Sequence, residues 1–168
     1  MVNNVEKKAG INMFTISAIL TLVGAFLVMT INGFAYAWGN IVIYVVGHLR
    51  DVGNNVFAYE FYIVFPLMLI TTTVFMPLGM KVSIIYPSYI AIFCGAFFQI
   101  GSIYLSSYIN SPVLFIIVFA VGFGIGKSFT YSCAFHSATS HLKGKKGLVS
   151  GIVVSALGVG GFIYSQIP

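Results

Sequence analysis

Apolar residues run along this chain in long stretches, and polar residues gather in short clusters between them. No charge interrupts Ile11 to Val46, and further apolar runs cover roughly 57–80, 86–108, 112–139 and 147–167. A helix needs about 20 residues to cross a hydrocarbon core of about 30 Å, and each run supplies them. The alternation of apolar and polar positions that marks a β-barrel is absent. The pattern predicts an all-α membrane protein of about five transmembrane helices. A single helical bundle over 11–168 follows a polar, exposed tail over 1–10.

The first run is too long for one simple crossing and short for two. Charge decides between them. If it is one long or bent helix with the N-terminus inside, Lys7, Lys8, Lys81, Lys143, Lys145 and Lys146 all fall on the cytoplasmic side, and Arg50 falls outside. Splitting the run moves Lys81 and the 143–146 cluster outside. The positive-inside rule therefore favours five spans and a cytoplasmic N-terminus. At about 1.5 Å per residue the first helix would reach about 50 Å. It must tilt, bend near Gly33 or Gly39, or project beyond the bilayer.

The connections fit this count. His48–Asn55 reads as an outer loop in which Arg50 and Asp51 pair, and Met76–Lys81 reads as a tight inner connection. Asn110-Ser111-Pro112 supplies the next outer turn, because the residue before proline resists helix. Pro66 and Pro77 lie inside the second helix, which neighbouring helices can tolerate. Glu60, near that helix's outer end, is expected to be solvated.

Composition sharpens the class. Hydrophobic residues make up 59% and charged residues 7% of the 168 residues, against about 25% charged in a soluble domain. The net charge of +5 comes from lysines at predicted membrane edges, so it reads as topology rather than nucleic-acid binding. Cys94 and Cys133 lie in apolar runs and read as free thiols. Ala35-Tyr36-Ala37 superficially matches a signal-peptidase site. The apolar run before it exceeds a usual signal core and continues past it, so the segment is expected to stay as the first span. No catalytic constellation, metal-ligand spacing or phosphate-cradling loop occurs, so no enzyme, cofactor or metal is expected.

Small residues suggest where helices meet. Gly122 and Gly126 form G-x-x-x-G in the fourth helix. In the fifth, Gly147, Gly151, Ser155 and Gly158 form one stripe that begins at the lysine cluster. Gly33 and Ala37 repeat the pattern more weakly. Such rows let backbones approach where no hydrophobic force drives helices together.

Candidate chemistry centres on Lys127, which lies near mid-membrane. A charge there costs about 2.5–3.5 kcal/mol on insertion scales, so it should face a cavity or a partner. It reads as an anion-attracting group on a transport path, or as a lysine that snorkels or pairs structurally. Asn32, Tyr36, Asn40 and Tyr131 are candidate cavity residues beside it. Trp38 and Tyr44 suit either the cavity or the outer aromatic belt. His136 could relay protons or simply be hydrogen-bonded near the inner surface.

Three segments resemble the N-terminal half of a major facilitator superfamily transporter, closest to the oxalate/formate antiporter and monocarboxylate transporter group. They are Asn32-Gly-Phe-Ala-Tyr-Ala-Trp-Gly-Asn40, Gly122-Phe-Gly-Ile-Gly126 ahead of Tyr131, and the lysine cluster entering Gly147-Leu-Val-Ser-Gly151. The resemblance implies transport of a small organic anion, monocarboxylate-like, with the chain matching the first five helices of a six-helix half. A second half-transporter or a second copy would then complete the path. A non-transporting structural subunit is the alternative. The chain departs from the family's loop signature: Gly79 is in place, but Ser83 stands where aspartate is expected, and the arginines are missing.

Overall fold

The computed structural model describes residues 2–141 and 146–166, with side chains for 16–140 and 147–166. Among these the architecture is all-helical: α1 (Val2–Asn32), α2 (Trp38–Asp51), α3 (Val64–Ile85), α4 (Ser88–Ser106), α5 (Pro112–His141) and α6 (Lys146–Ser165). Short 3-10 turns at Gly33–Ala37 and Ala58–Ile63 precede α2 and α3. Five stretches are long and apolar enough to cross a membrane: Ile16–Asp51, Ala58–Ile85, Ser88–Ser106, Pro112–Ser140 and Gly147–Ser165. Lys143 and Lys145 lie outside the described residues, as do the side chains of Lys7, Lys8 and Lys146.

The first long stretch is one path interrupted by its 3-10 turn, which starts at Gly33. Helix already begins at Val2, where a tail was expected, since Val2–Ala9 contains neither proline nor glycine. The inner connection also lies later than Met76–Lys81. Pro77 stays inside α3, and the helix ends only at Tyr86, which is extended at φ −108° and ψ 155°. Pro87 is the cause, because its ring excludes helical backbone from the residue before it. Pro66 sits in the first turn of α3, where proline is best tolerated.

α4 turns large apolar residues outward and small or polar ones inward. On α4, Tyr89, Phe93, Phe97, Ile100 and Tyr104 are exposed, while Ala91, Gly95, Gln99, Ser102 and Ser106 are buried. Water would select the reverse. Lipid accepts the apolar face, and small residues let the helices close on one another.

α5 is the hub. A Cβ at Gly126 would lie 2.7 Å from Gln99 Cγ, and one at Gly122 would lie 2.6 Å from Ser102 Cβ, so that face of α5 holds α4. The opposite face holds α3, with a Cβ at Gly124 2.8 Å from Thr71 Cβ. On α6 the expected packing row is open instead. Gly147, Gly151, Ser155 and Gly158 are all exposed, and a Cβ at any of the three glycines meets nothing within 4 Å. α6 packs through Val149, Val153, Ala156 and Gly160, against Ala25, Met29, Ala134 and Ala138. The close approach to α1 selects the row: a Cβ at Gly33 would lie 2.7 Å from Gly160 Cα, and one at Gly160 would run into the Thr30 carbonyl.

Candidate functional site

Two apolar clusters fill the bundle. Toward the 52–57 connection, Trp38, Val42, Phe61, Met68, Phe115 and Phe119 pack together. Toward the 86–87 turn, α1, α5 and α6 pack through Met29, Ala134, Val153 and Leu157. Trp38 belongs to this interior and not to an interfacial belt. Its indole donates to the Phe61 carbonyl at 3.1 Å, and its ring lies 4.8 Å from that of Phe119. Tyr44 is exposed. Arg50 turns away from Asp51, donating to the Val56 carbonyl at 2.8 Å and lying over the Phe57 ring.

Between the clusters lies a polar layer. The Gln99 amide donates to Asn32 Oδ1 at 2.7 Å, and the Thr130 hydroxyl and Asn32 share contacts of 3.1 Å. Asn32 Nδ2 also donates to the Val28 carbonyl at 3.1 Å. All three side chains are buried, so each amide and hydroxyl needs a partner in the low-dielectric interior. Asn32 was expected on a cavity wall. It is instead the join between α1, α4 and α5.

Lys127 lies one turn before Tyr131 on α5, three residues from Thr130. It is 3% exposed, and among the described residues its buried ammonium has no hydrogen-bond partner. Its Nζ lies 5.0 Å from the centroid of the Tyr36 ring. Aromatic faces attract cations, but by only about 0.5–2 kcal/mol. That does not replace the water and counter-charge the ammonium has lost. Tyr36 itself is 51% exposed. It packs beside Phe65, 5.8 Å between centroids, and against Gly161 of α6.

Tyr36 also lines an open groove of about 450 Å³ along α6, together with Val154, Leu157, Gly158, Gly161, Phe162 and Ser165. Part of the open glycine row is thus its wall. Tyr131 is half-buried and stacks on Phe135, 6.3 Å between centroids. Asn40, another expected cavity residue, donates instead to the Ser165 carbonyl at 2.9 Å and so caps the end of α6. Lys127 and Tyr36 are brought together, with Tyr131 on the same side of α5; Asn32 and Asn40 have structural partners.

No family model, curated protein or solved structure matches this chain. The site therefore rests on its own chemistry: one buried cation, an aromatic ring over it, and an apolar groove beyond.

Sequence reasoning passed over Gln99, Thr130, Gly95 and Gly160. The signal for Gln99 was present, since an amide inside an apolar run must find a partner. Thr130 gave less, because a threonine can satisfy itself on its own helix, as this one also does through the Gly126 and Lys127 carbonyls.

Proposed function

We propose that the chain is one bundle of a secondary transporter for a small organic anion, monocarboxylate-like, with its N-terminus cytoplasmic. The observation that carries this reading is Lys127, a buried ammonium with no hydrogen-bond partner, mid-span in α5. An intramembrane charge left unpaired is retained against a cost of several kcal/mol, about 2.5–3.5 on insertion scales. A ligand that arrives and leaves explains why no fixed carboxylate sits beside it. Substrate near the midplane, between this bundle and a second, is how alternating access works. The resemblance to the first five helices of a major facilitator half supports the same assignment, and a partner chain or second copy would supply the facing bundle.

A second reading, a non-transporting structural subunit, is favoured by one observation. The row Gly147, Gly151, Ser155 and Gly158 is an open small-residue face of the kind that seats another helix. The readings separate in proteoliposomes. Uptake of labelled monocarboxylate above that of empty vesicles, reduced at least tenfold by Lys127→Ala and partly kept by Lys127→Arg, is the expected result. Uptake that ignores Lys127→Ala removes the lysine from the path. Neither uptake nor anion binding leaves the structural subunit.

A further inference from the structure

The groove beside Tyr36 also selects among organic anions, an inference that rests on the anion-transport reading above. Two features define what fits. The first is charge. Lys127 is the cation at mid-span; Arg50 and Lys81 lie toward the ends of their spans, and the described acids, Asp51 and Glu60, are exposed near the 52–57 connection. One buried ammonium balances one negative charge. A second carboxylate would be desolvated against Leu157, Gly158, Gly161 and Phe162 with no cation to meet it.

The second feature is the ring that meets both the charge and the groove. Tyr36 covers the ammonium with one face and lines the groove as well, and the ammonium has no opening of its own. For an anion in the groove to pair with Nζ, the ring gives up its place over the ammonium. Space for that movement exists on α6, where Gly158 carries no side chain and the open row continues.

We propose that Tyr36 is the specificity-determining residue, selecting a monocarboxylate with an apolar or aromatic body over a small or doubly charged one. The carboxylate takes the place of the ring over Lys127. The apolar body then lies in the groove against the displaced tyrosine and Phe162. Acetate lacks the body that compensates for moving the ring; succinate brings a charge that nothing balances.

The test is equilibrium binding of labelled benzoate to the purified full chain in nanodiscs, competed by acetate, succinate and benzamide. Benzoate is expected to bind at least tenfold more tightly than acetate or succinate, since apolar contacts of this size discriminate by about 10- to 200-fold. Benzamide, uncharged, should not compete, and Lys127→Gln should lose benzoate. In Tyr36→Ala the benzoate-to-acetate preference should fall about tenfold while anion binding still depends on Lys127. Tyr36→Leu keeps the bulk and serves if the alanine variant does not fold; it should lose the aromatic preference in the same way. Acetate and succinate binding as tightly as benzoate, still through Lys127, overturns this inference and leaves anion transport standing. An unchanged preference in the folded Tyr36 variants removes the role of that residue. Absence of binding for every anion overturns both readings.

Discussion

Lys127 lays its ammonium 5.0 Å from the centre of the Tyr36 ring and makes no hydrogen bond. The ring returns about 0.5–2 kcal/mol of an insertion cost of about 2.5–3.5 kcal/mol. A structural lysine would have a better partner than this. Lys127→Met is expected to stabilise the bundle by about 0.5–3 kcal/mol, the difference between those terms. It should abolish anion binding at the same time. Thermal unfolding in detergent reads the first and ligand binding the second. A lower melting temperature for the methionine variant would show that the ammonium holds the fold.

The Asn32–Gln99–Thr130 layer makes the opposite prediction. Every member has a partner, with Gln99 Nε2 donating to Asn32 Oδ1 at 2.7 Å. Asn32→Ala takes from the buried Gln99 amide its 2.7 Å acceptor, while Thr130 keeps the Gly126 and Lys127 carbonyls, and is expected to cost about 1–3 kcal/mol. The double variant with Gln99→Ala should cost less than the sum. A coupling of about 0.6–1.7 kcal/mol is the range for hydrogen bonds between membrane helices. Zero coupling would place the stabilisation in packing around Gly95 and Gly126 instead.

Two glycine positions on α6 should behave differently on substitution. Gly160 has no room: a Cβ there would lie 3.0 Å from Gly33 Cα and would run into the Thr30 carbonyl. Gly151 has nothing within 4 Å. Gly160→Val is expected to destabilise by 1–3 kcal/mol or more, about the scale of overpacking in a tight interior. Gly151→Val should be near neutral in the isolated bundle. If Gly151→Val instead abolishes assembly or uptake while leaving the melting temperature unchanged, the open row is a contact with a second bundle.

That contrast also marks how much of the molecule could be read from the chain. The number of spans and most of their ends follow from apolar runs, from Pro112 and from the polar clusters, because each depends on local sequence alone. The break in the first span at Gly33 was legible for the same reason. The face each helix turns inward was not. α6 carries two rows of small residues at helical spacing, and only the encounter of Gly33 with Gly160 decides which row is buried. Asn32 and Asn40 had the right chemistry for a cavity. What they touch is set by α4, α5 and the end of α6, far away in sequence. Lys127 could be singled out because charge in an apolar run is costly wherever the helix points.

Ser83 supplies the last prediction. Its hydroxyl is buried with no hydrogen-bond partner among the described residues. A stranded hydroxyl of this kind costs about 1–3 kcal/mol relative to one that is paired. Ser83→Ala removes the polar group without opening a cavity, so it is expected to be neutral or to stabilise by about 1 kcal/mol. Ser83→Asp is the contrasting variant. In this chain a carboxylate at 83 would enter a site where even a hydroxyl finds no donor, so it should destabilise more than any conservative change nearby. Urea or thermal unfolding of both variants beside the parent decides the matter. A Ser83→Asp protein as stable as the parent would mean that a cation reaches this end of α3.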